Sequence, residues 1–273
     1  MTDQNFDPLA ERFAKRIYGS EKGEIRLAIV WQQLLDDFPE LVEGRPLRIL
    51  DIGAGMGQVS LRLAKLGHSV VLTDPSIEML HRAKAAFAEA GFDPSQQPEP
   101  LLVDIDSRQP QFVNSALQAL PAAWSGQFDL VVFHAVMEWL AQPFEGLDEA
   151  LRFVAPEAGR VSVMFYNRHS LVFRNVIRGN FRKVQSQSFK GDEGGLTPQN
   201  PLLPEAVKVR LEAKAIDIQS VTGVRVFTDY MNKALDRSLD DKIAIERLYC
   251  CEQPYASLAR YVMYNGRTHP EQH

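Results

Sequence analysis

Cysteine is almost absent from the 273 residues: there are two, Cys250 and Cys251, and they are adjacent. Adjacent thiols do not have the CxxC spacing of a zinc site, and two ligands leave a tetrahedral shell incomplete. A disulfide between neighbours is strained, and a reducing cytosol would not maintain it. Both therefore read as partly buried structural thiols, and no metal is expected. Long apolar runs are also missing, since none approaches the ~20 residues that cross a bilayer. The opening MTDQNFDPLAERFAKR is acidic and then amphipathic, unlike an export signal, so a cytoplasmic, membrane-free protein is expected. Nor is there an excess of positive charge: 30 Lys+Arg face 35 Asp+Glu, for a net −5. Affinity for nucleic acid would need a local basic patch.

What is present is an alternation of short apolar runs and amphipathic stretches. Helical spacing covers 7–17 (Leu9, Phe13, Ile17) and 24–38 (Ile25, Ala28, Trp31, Leu35), with Ser20 as the expected cap of the second helix. Strands are expected at LRILDIGAG (47–55), a short apolar run ending in glycines, and at SVVLTD (69–74), EPLLVDI (99–105), FDLVVFHA (128–135) and GRVSVMFYN (159–167). Helices are expected at 57–67 and 76–90. The tail adds a helix at 203–213, a strand at 215–222, a helix at 236–250 and a strand at 257–264. Apolar strands separated by helices indicate an α/β fold with a mostly parallel, seven-stranded sheet covered on both faces. The expected organisation is one domain over 1–273. A helical extension (1–44) precedes a cofactor-binding core (45–167), a basic insertion (168–200) follows the fifth strand, and 201–273 completes the sheet.

The first strand runs into Asp51-Ile52-Gly53-Ala54-Gly55-Met56-Gly57, and Asp74 ends the second strand 17 residues beyond Gly57. Glycines allow a sharp turn and close approach of a ligand to the backbone, and a strand-end carboxylate can accept both hydroxyls of an adenosine ribose. A dinucleotide fingerprint would read GxGxxG, but Gln58 stands where its third glycine belongs. DxGxGxG resembles motif I of the class I S-adenosylmethionine-dependent methyltransferases, which are Rossmann-like. The place after the fourth strand reads His134-Ala135-Val136-Met137-Glu138-Trp139, without the (Asp/Asn)-Pro-Pro-(Tyr/Phe) run usual for methylation of exocyclic base amines. Neither cysteine lies near a strand-end loop of the cofactor half, so attack on a pyrimidine ring by a thiolate is not indicated. An oxygen acceptor is the simplest reading. From Arg160 to Lys190 there are seven cations and no Asp or Glu, interleaved with Phe165, Tyr166, Phe173, Phe181 and Phe189. Cations for phosphates and rings for unpaired bases are the devices of single-stranded RNA binding, although the same spacing also fits a solvated amphipathic helix.

Six segments carry a more specific resemblance: NFDPLAERFAKRIYGSEKGEIR (5–26), FHAVMEWL (133–140), SVMFYNRHSL (162–171), GNFRKV (179–184), TGVRVFTDY (222–230) and EQPYASLARY (252–261). Over nearly its whole length the chain resembles the bacterial tRNA 5-carboxymethoxyuridine methyltransferases. The resemblance implies methyl transfer from S-adenosyl-L-methionine to the carboxylate of 5-carboxymethoxyuridine at the tRNA wobble position. The products would be the methyl ester and S-adenosyl-L-homocysteine. It implies cofactor contacts at Arg26, Gly53, Ala54, Gly55, Asp74, Ile105, Asp106 and His134, and the anticodon loop of tRNA as partner; a homodimer is compatible with the sequence. The family loop can read GGGEGQ where this one reads GAGMGQ. Its lysine-rich run is replaced by QSQSFKGDEGG (185–195), which leaves Arg174, Arg178, Arg182 and Lys183 as the expected RNA footprint. A carboxylic acid, with a pKa of about 4, is already ionised at neutral pH, so no general base is required. Tyr166, Arg168 and Arg225 are the candidates for orienting it. Two alternatives remain: esterification of a small carboxylic acid, and a non-catalytic RNA partner that binds the cofactor.

Overall fold

Alternate residues along each central strand enter opposite apolar layers, as a period of two requires. In the computed structural model, which describes residues 3, 7, 11, 19–95, 98–187, 189, 198–232 and 237–269, Leu50, Val131 and Val163 point into one layer. Ile49, Val132 and Met164 point into the other. The parallel strands are β1 (Arg48–Ile52), β2 (Ser69–Asp74), β3 (Gln111–Asn114), β4 (Leu130–His134) and β5 (Arg160–Tyr166). With β6 (Ile216–Val224) and β7 (Tyr261–Thr268) they form a seven-stranded sheet in the order β3-β2-β1-β4-β5-β7-β6. β7 runs antiparallel to both of its neighbours.

Helix α1 (Glu21–Asp37) starts at Ser20, whose hydroxyl accepts from the Gly23 amide at 3.2 Å. It shares an apolar layer with α2 (Gln58–Lys65) and α3 (Ile77–Glu89). On the opposite face lie α4 (Pro143–Leu151) and α7 (Pro204–Ala213), with α5 (Arg168–Ile177) and α6 (Phe181–Gln185) between β5 and α7 in sequence. The remaining helices are α8 (Leu239–Tyr249) and α9 (Tyr255–Leu258). β1 sits between β2 and β4, so the chain leaves β1 in one direction and crosses back after β3 in the other. That reversal opens a crevice at the carboxyl ends of β1 and β4, where open α/β sheets hold ligands.

Two expected strands are displaced. The stretch 99–105 is not β3: Pro98 and Pro100 remove amide donors, Pro100–Leu102 forms a 3-10 turn, and Leu101 and Leu102 are exposed. The pairing falls to Gln111–Asn114, which lies parallel to Val71–Asp74. The last strand begins at Tyr261 because α9 occupies the first half of the expected span. Leu9, Phe13 and Ile17 of the expected first helix, and Ser188 and 190–197 of the insertion, lie outside the described residues. Cys250 is buried, whereas Cys251 is exposed, and both are free thiols.

Candidate cofactor and acceptor site

The glycine loop is shaped by what would collide with it. Gly53 has φ +67°, and a Cβ there would come within 2.4 Å of Val136 Cγ2. Gly57, at φ +66° just before α2, would place a Cβ 2.8 Å from Leu72 Cδ2, so it allows the helix to pack closely on β2. A side chain at either position meets both left-handed strain and steric overlap. Across the loop, Asp74 accepts from the Gly55 amide at 2.9 Å and the Ser76 amide at 2.8 Å. Burial pushes its carboxyl up to about 6, against those two donors. Its remaining lone pairs are available to ribose hydroxyls. Asp51, two residues before Gly53, is fully buried and pushed up to about 7, with Ser60 donating to it.

Asp51, Gly53, Gly55 and Asp74 line a cavity of about 360 Å³ at the sheet crevice. The wall on the β2 side carries Asp74, Pro75, Met79, Ser115 and Leu117; the wall on the β5 side carries Met164, Tyr166, Arg225, Arg260 and Tyr261. Gly53, Ala54, Gly55, Asp74, His134 and Arg26 all line it. Burial and the Arg26 charge push the His134 imidazole down to about 3, so it is neutral at physiological pH. Glu138 is buried on the same wall and pushed up to about 8, and its Oε2 has no partner.

Ile105 and Asp106 do not line the cavity. They precede β3, and the Asp106 carbonyl accepts from Ser69 Oγ at the start of β2. Ser69 and Asp74 are five residues apart on one strand, about 16 Å, which puts these two residues at the opposite edge of the sheet. Ser115 and Ala116, directly after β3, occupy the position expected of them. The displaced β3 assignment is the source of the error.

The acceptor candidates also separate. Tyr166 ends β5, is buried, and its hydroxyl has no partner. Arg225 sits at φ +62°, and its guanidinium fork is taken up by Asp229, which Lys22 also reaches at 2.6 Å. Arg168 lies outside the cavity lining, with Gln187 Oε1 3.3 Å away and Phe189 beneath it. Arg260 escaped sequence reasoning, because EQPYASLARY contains no spacing that marks one cation. Its Cζ lies 4.3 Å from the centre of the Tyr166 ring, and its buried Nη1 is unpaired. Of the basic insertion, Arg178 just after α5 and Arg182 and Lys183 on α6 are exposed, and Arg174 on α5 is half-buried with an unpaired Nε. Arg160 belongs elsewhere, paired with Glu40 at the start of β5.

The strand order, the glycine loop and the strand-end acid define a class I S-adenosylmethionine-dependent methyltransferase. A Methyltransferase domain profile matches residues 50–159. The structure of magnesium protoporphyrin IX methyltransferase from Synechocystis, with bound S-adenosylhomocysteine, superposes with a TM-score of 0.61 at 15% identity, covering 97% of this chain and 96% of that one. The chain is 31% identical over 147 residues to a Caulobacter ubiquinone biosynthesis O-methyltransferase, covering 52% of each. To the Escherichia coli tRNA 5-carboxymethoxyuridine methyltransferase it is 36% identical over 269 residues, covering 98% of this chain and 97% of that one. The chain belongs to the tRNA 5-carboxymethoxyuridine methyltransferase family.

Proposed function

We propose that the protein transfers a methyl group from S-adenosylmethionine to the side-chain carboxylate of 5-carboxymethoxyuridine at the tRNA wobble position, forming the methyl ester. The observation that carries this reading is the pair of unsatisfied donors on the cavity wall, Tyr166 Oη and Arg260 Nη1. An unpaired buried polar group costs about 1–3 kcal/mol, and a carboxylate, which only accepts hydrogen bonds, would satisfy both. Burial pushes the Glu138 carboxyl up to about 8, which favours the neutral form and weakens any repulsion of the substrate anion, and its unpaired oxygen adds a further polar contact.

S-adenosylmethionine would supply an electrophilic methyl on a positively charged sulfur. The residues then need to hold an already ionised nucleophile about 3–3.5 Å from it, in line, and keep water away. A single unpaired guanidinium nitrogen suits that task, because a fully engaged fork would quench a weak nucleophile. Arg225 is neutralised by Asp229, so it shapes the wall without gripping the substrate. The cavity residues that fit the cofactor are Arg26, Gly53, Ala54, Gly55, Asp74 and His134.

α5 leaves the sheet two residues after Tyr166, so the chain that carries the acceptor wall continues into the basic surface. There Phe173, Val176, Ile177 and Phe181 are exposed among Arg174, Arg178, Arg182 and Lys183. Exposed rings and cations on adjoining helices fit an unpaired anticodon loop. The test is methyl transfer to tRNA lacking the ester, followed by nucleoside mass spectrometry. A base-labile ester that appears only where the 5-carboxymethoxyuridine precursor is present supports the reading. Absence of transfer despite measured cofactor binding would overturn it.

A further inference from the structure

A row of polar side chains crosses the otherwise apolar sheet. His134 Nε2 lies 2.7 Å from Ser162 Oγ, Ser162 Oγ lies 2.5 Å from Asn265 Oδ1, and Asn265 Nδ2 lies 2.6 Å from Asp37 Oδ2. The row follows strand register: Ser162 pairs with Asn265 across β5 and β7, and Asn265 with Ser220 across β7 and β6. Ser220 also donates to Asp37 at the end of α1. Ser162 and Asn265 are completely buried. Apolar residues at these positions would pack with no polar atoms to satisfy, so the row calls for a role beyond holding strands together.

Its polarity follows from one end. Asp37 Oδ2 accepts from both Ser220 and Asn265, so Asn265 turns its amide NH2 to Asp37 and its carbonyl oxygen to Ser162. That oxygen also only accepts, so the Ser162 hydroxyl donates to it. The lone pair left on Ser162 Oγ then receives a proton from the ring, and the proton sits on Nε2. Nδ1 has no partner among the described residues, and His134 lines the cavity.

We propose that Asp37, acting through Asn265 and Ser162, holds His134 as its Nε2–H tautomer and so presents Nδ1 to the cofactor as a hydrogen-bond acceptor. Asp37, Asn265 and Ser162 are positioning residues; none of them lines the cavity. The inference rests on cofactor binding in this cavity and is independent of the methyl acceptor. It adds a reason for the neutral ring: an imidazolium would offer only donors, whereas a bare Nδ1 can accept from an N–H or O–H of the cofactor.

Nitrogen-15 NMR of histidine-labelled protein tests it, with His134→Asn used to identify the signal and S-adenosylhomocysteine as the probe. The expected spectrum shows Nε2 protonated and Nδ1 bare, with the Nδ1 signal moving when the probe is added. In Ser162→Ala the ring should become a mixture of tautomers, and calorimetry should show binding of the probe weakened about tenfold, as for the loss of one oriented hydrogen bond. A protonated Nδ1 in the unsubstituted protein would overturn the proposal without any variant needing to fold. So would an Nδ1 signal that stays still while the probe saturates. Failure of the probe to bind at all would overturn the cofactor reading together with the presentation of Nδ1, while the tautomer of the free protein is read independently.

Discussion

At the scale of single residues, burial sets the chemistry of the cavity. Asp74 is held up at about 6 in the free protein. Hydroxyl donors from a ribose favour its charged form, so binding should lower that value and release a proton near pH 6. Cofactor affinity is expected to be flat above pH 6 and to fall up to tenfold per unit below it. Titration calorimetry in buffers of different ionisation enthalpy measures both the affinity and the proton. At the other wall, Arg260→Ala should lower kcat/KM for the RNA acceptor about 10–100-fold, and Tyr166→Phe about tenfold, with cofactor Kd within about twofold of the parent; these are the sizes expected for one charge-assisted and one neutral hydrogen bond. Equal losses in cofactor affinity would show that these side chains serve the cofactor and not the acceptor. Asp74 and the glycines were legible because a cofactor loop requires their spacing. Arg260 was not, since its unpaired nitrogen arises only from the packing of β7 beside β5.

At the scale of elements, the turn after β6 depends on a distant carboxylate. Buried Glu246 of α8 accepts from the amides of Val226, Phe227 and Thr228, and this turn carries Arg225 and Asp229 into place. Glu246→Ala strips three amides of their partner and should cost about 3 kcal/mol, a fall in Tm of roughly 5–10 °C, read by calorimetry. The α5–α6 pair makes a separate prediction. If Arg178, Arg182 and Lys183 meet phosphates, each change to Ala should reduce the slope of log affinity for tRNA against log salt by about 0.7–0.9. An unchanged slope would remove them from the footprint, and a salt-independent acceptor would favour a small carboxylic acid instead. The helix pair was visible as a run of cations. Which of them reach solvent was not, because Arg160 and Arg174 differ from Arg178 only in what packs against them.

At the scale of the whole molecule, two sets of acids pull stability in opposite directions with pH. Glu40 is also subject to burial, but Arg267 and Arg160 outweigh it and hold it at about 2. Its contribution is complete above its unfolded value and is lost as pH falls toward 2. Asp51, Asp74 and Glu138 are raised by burial to about 7, 6 and 8, so they favour the fold while protonated and work against it as pH rises through those values. The cofactor-free protein should therefore lose Tm between about pH 5 and 8, and Asp51→Asn should flatten that decline. We also propose that the chain unfolds as one unit, since both apolar layers draw on strands from each end of the sheet. Calorimetric and van't Hoff enthalpies should then agree.

The sequence by itself determined the α/β alternation, the glycine loop, the acid that ends β2 and the family, because these depend on local backbone geometry and on residue order. It misplaced β3, since a proline-broken apolar run outweighed a four-residue strand beginning at a glutamine, and it moved Ile105 and Asp106 into the cofactor site with it. The tertiary structure alone decided which cations are spent and which donors are left open. Arg225 and Asp229 close on each other, Arg260 keeps a free nitrogen beside Tyr166, and Asp37 reaches His134 through two strands. Those outcomes depend on contacts between residues up to 228 positions apart, and the spacing of residues along a chain carries no record of such distances in space.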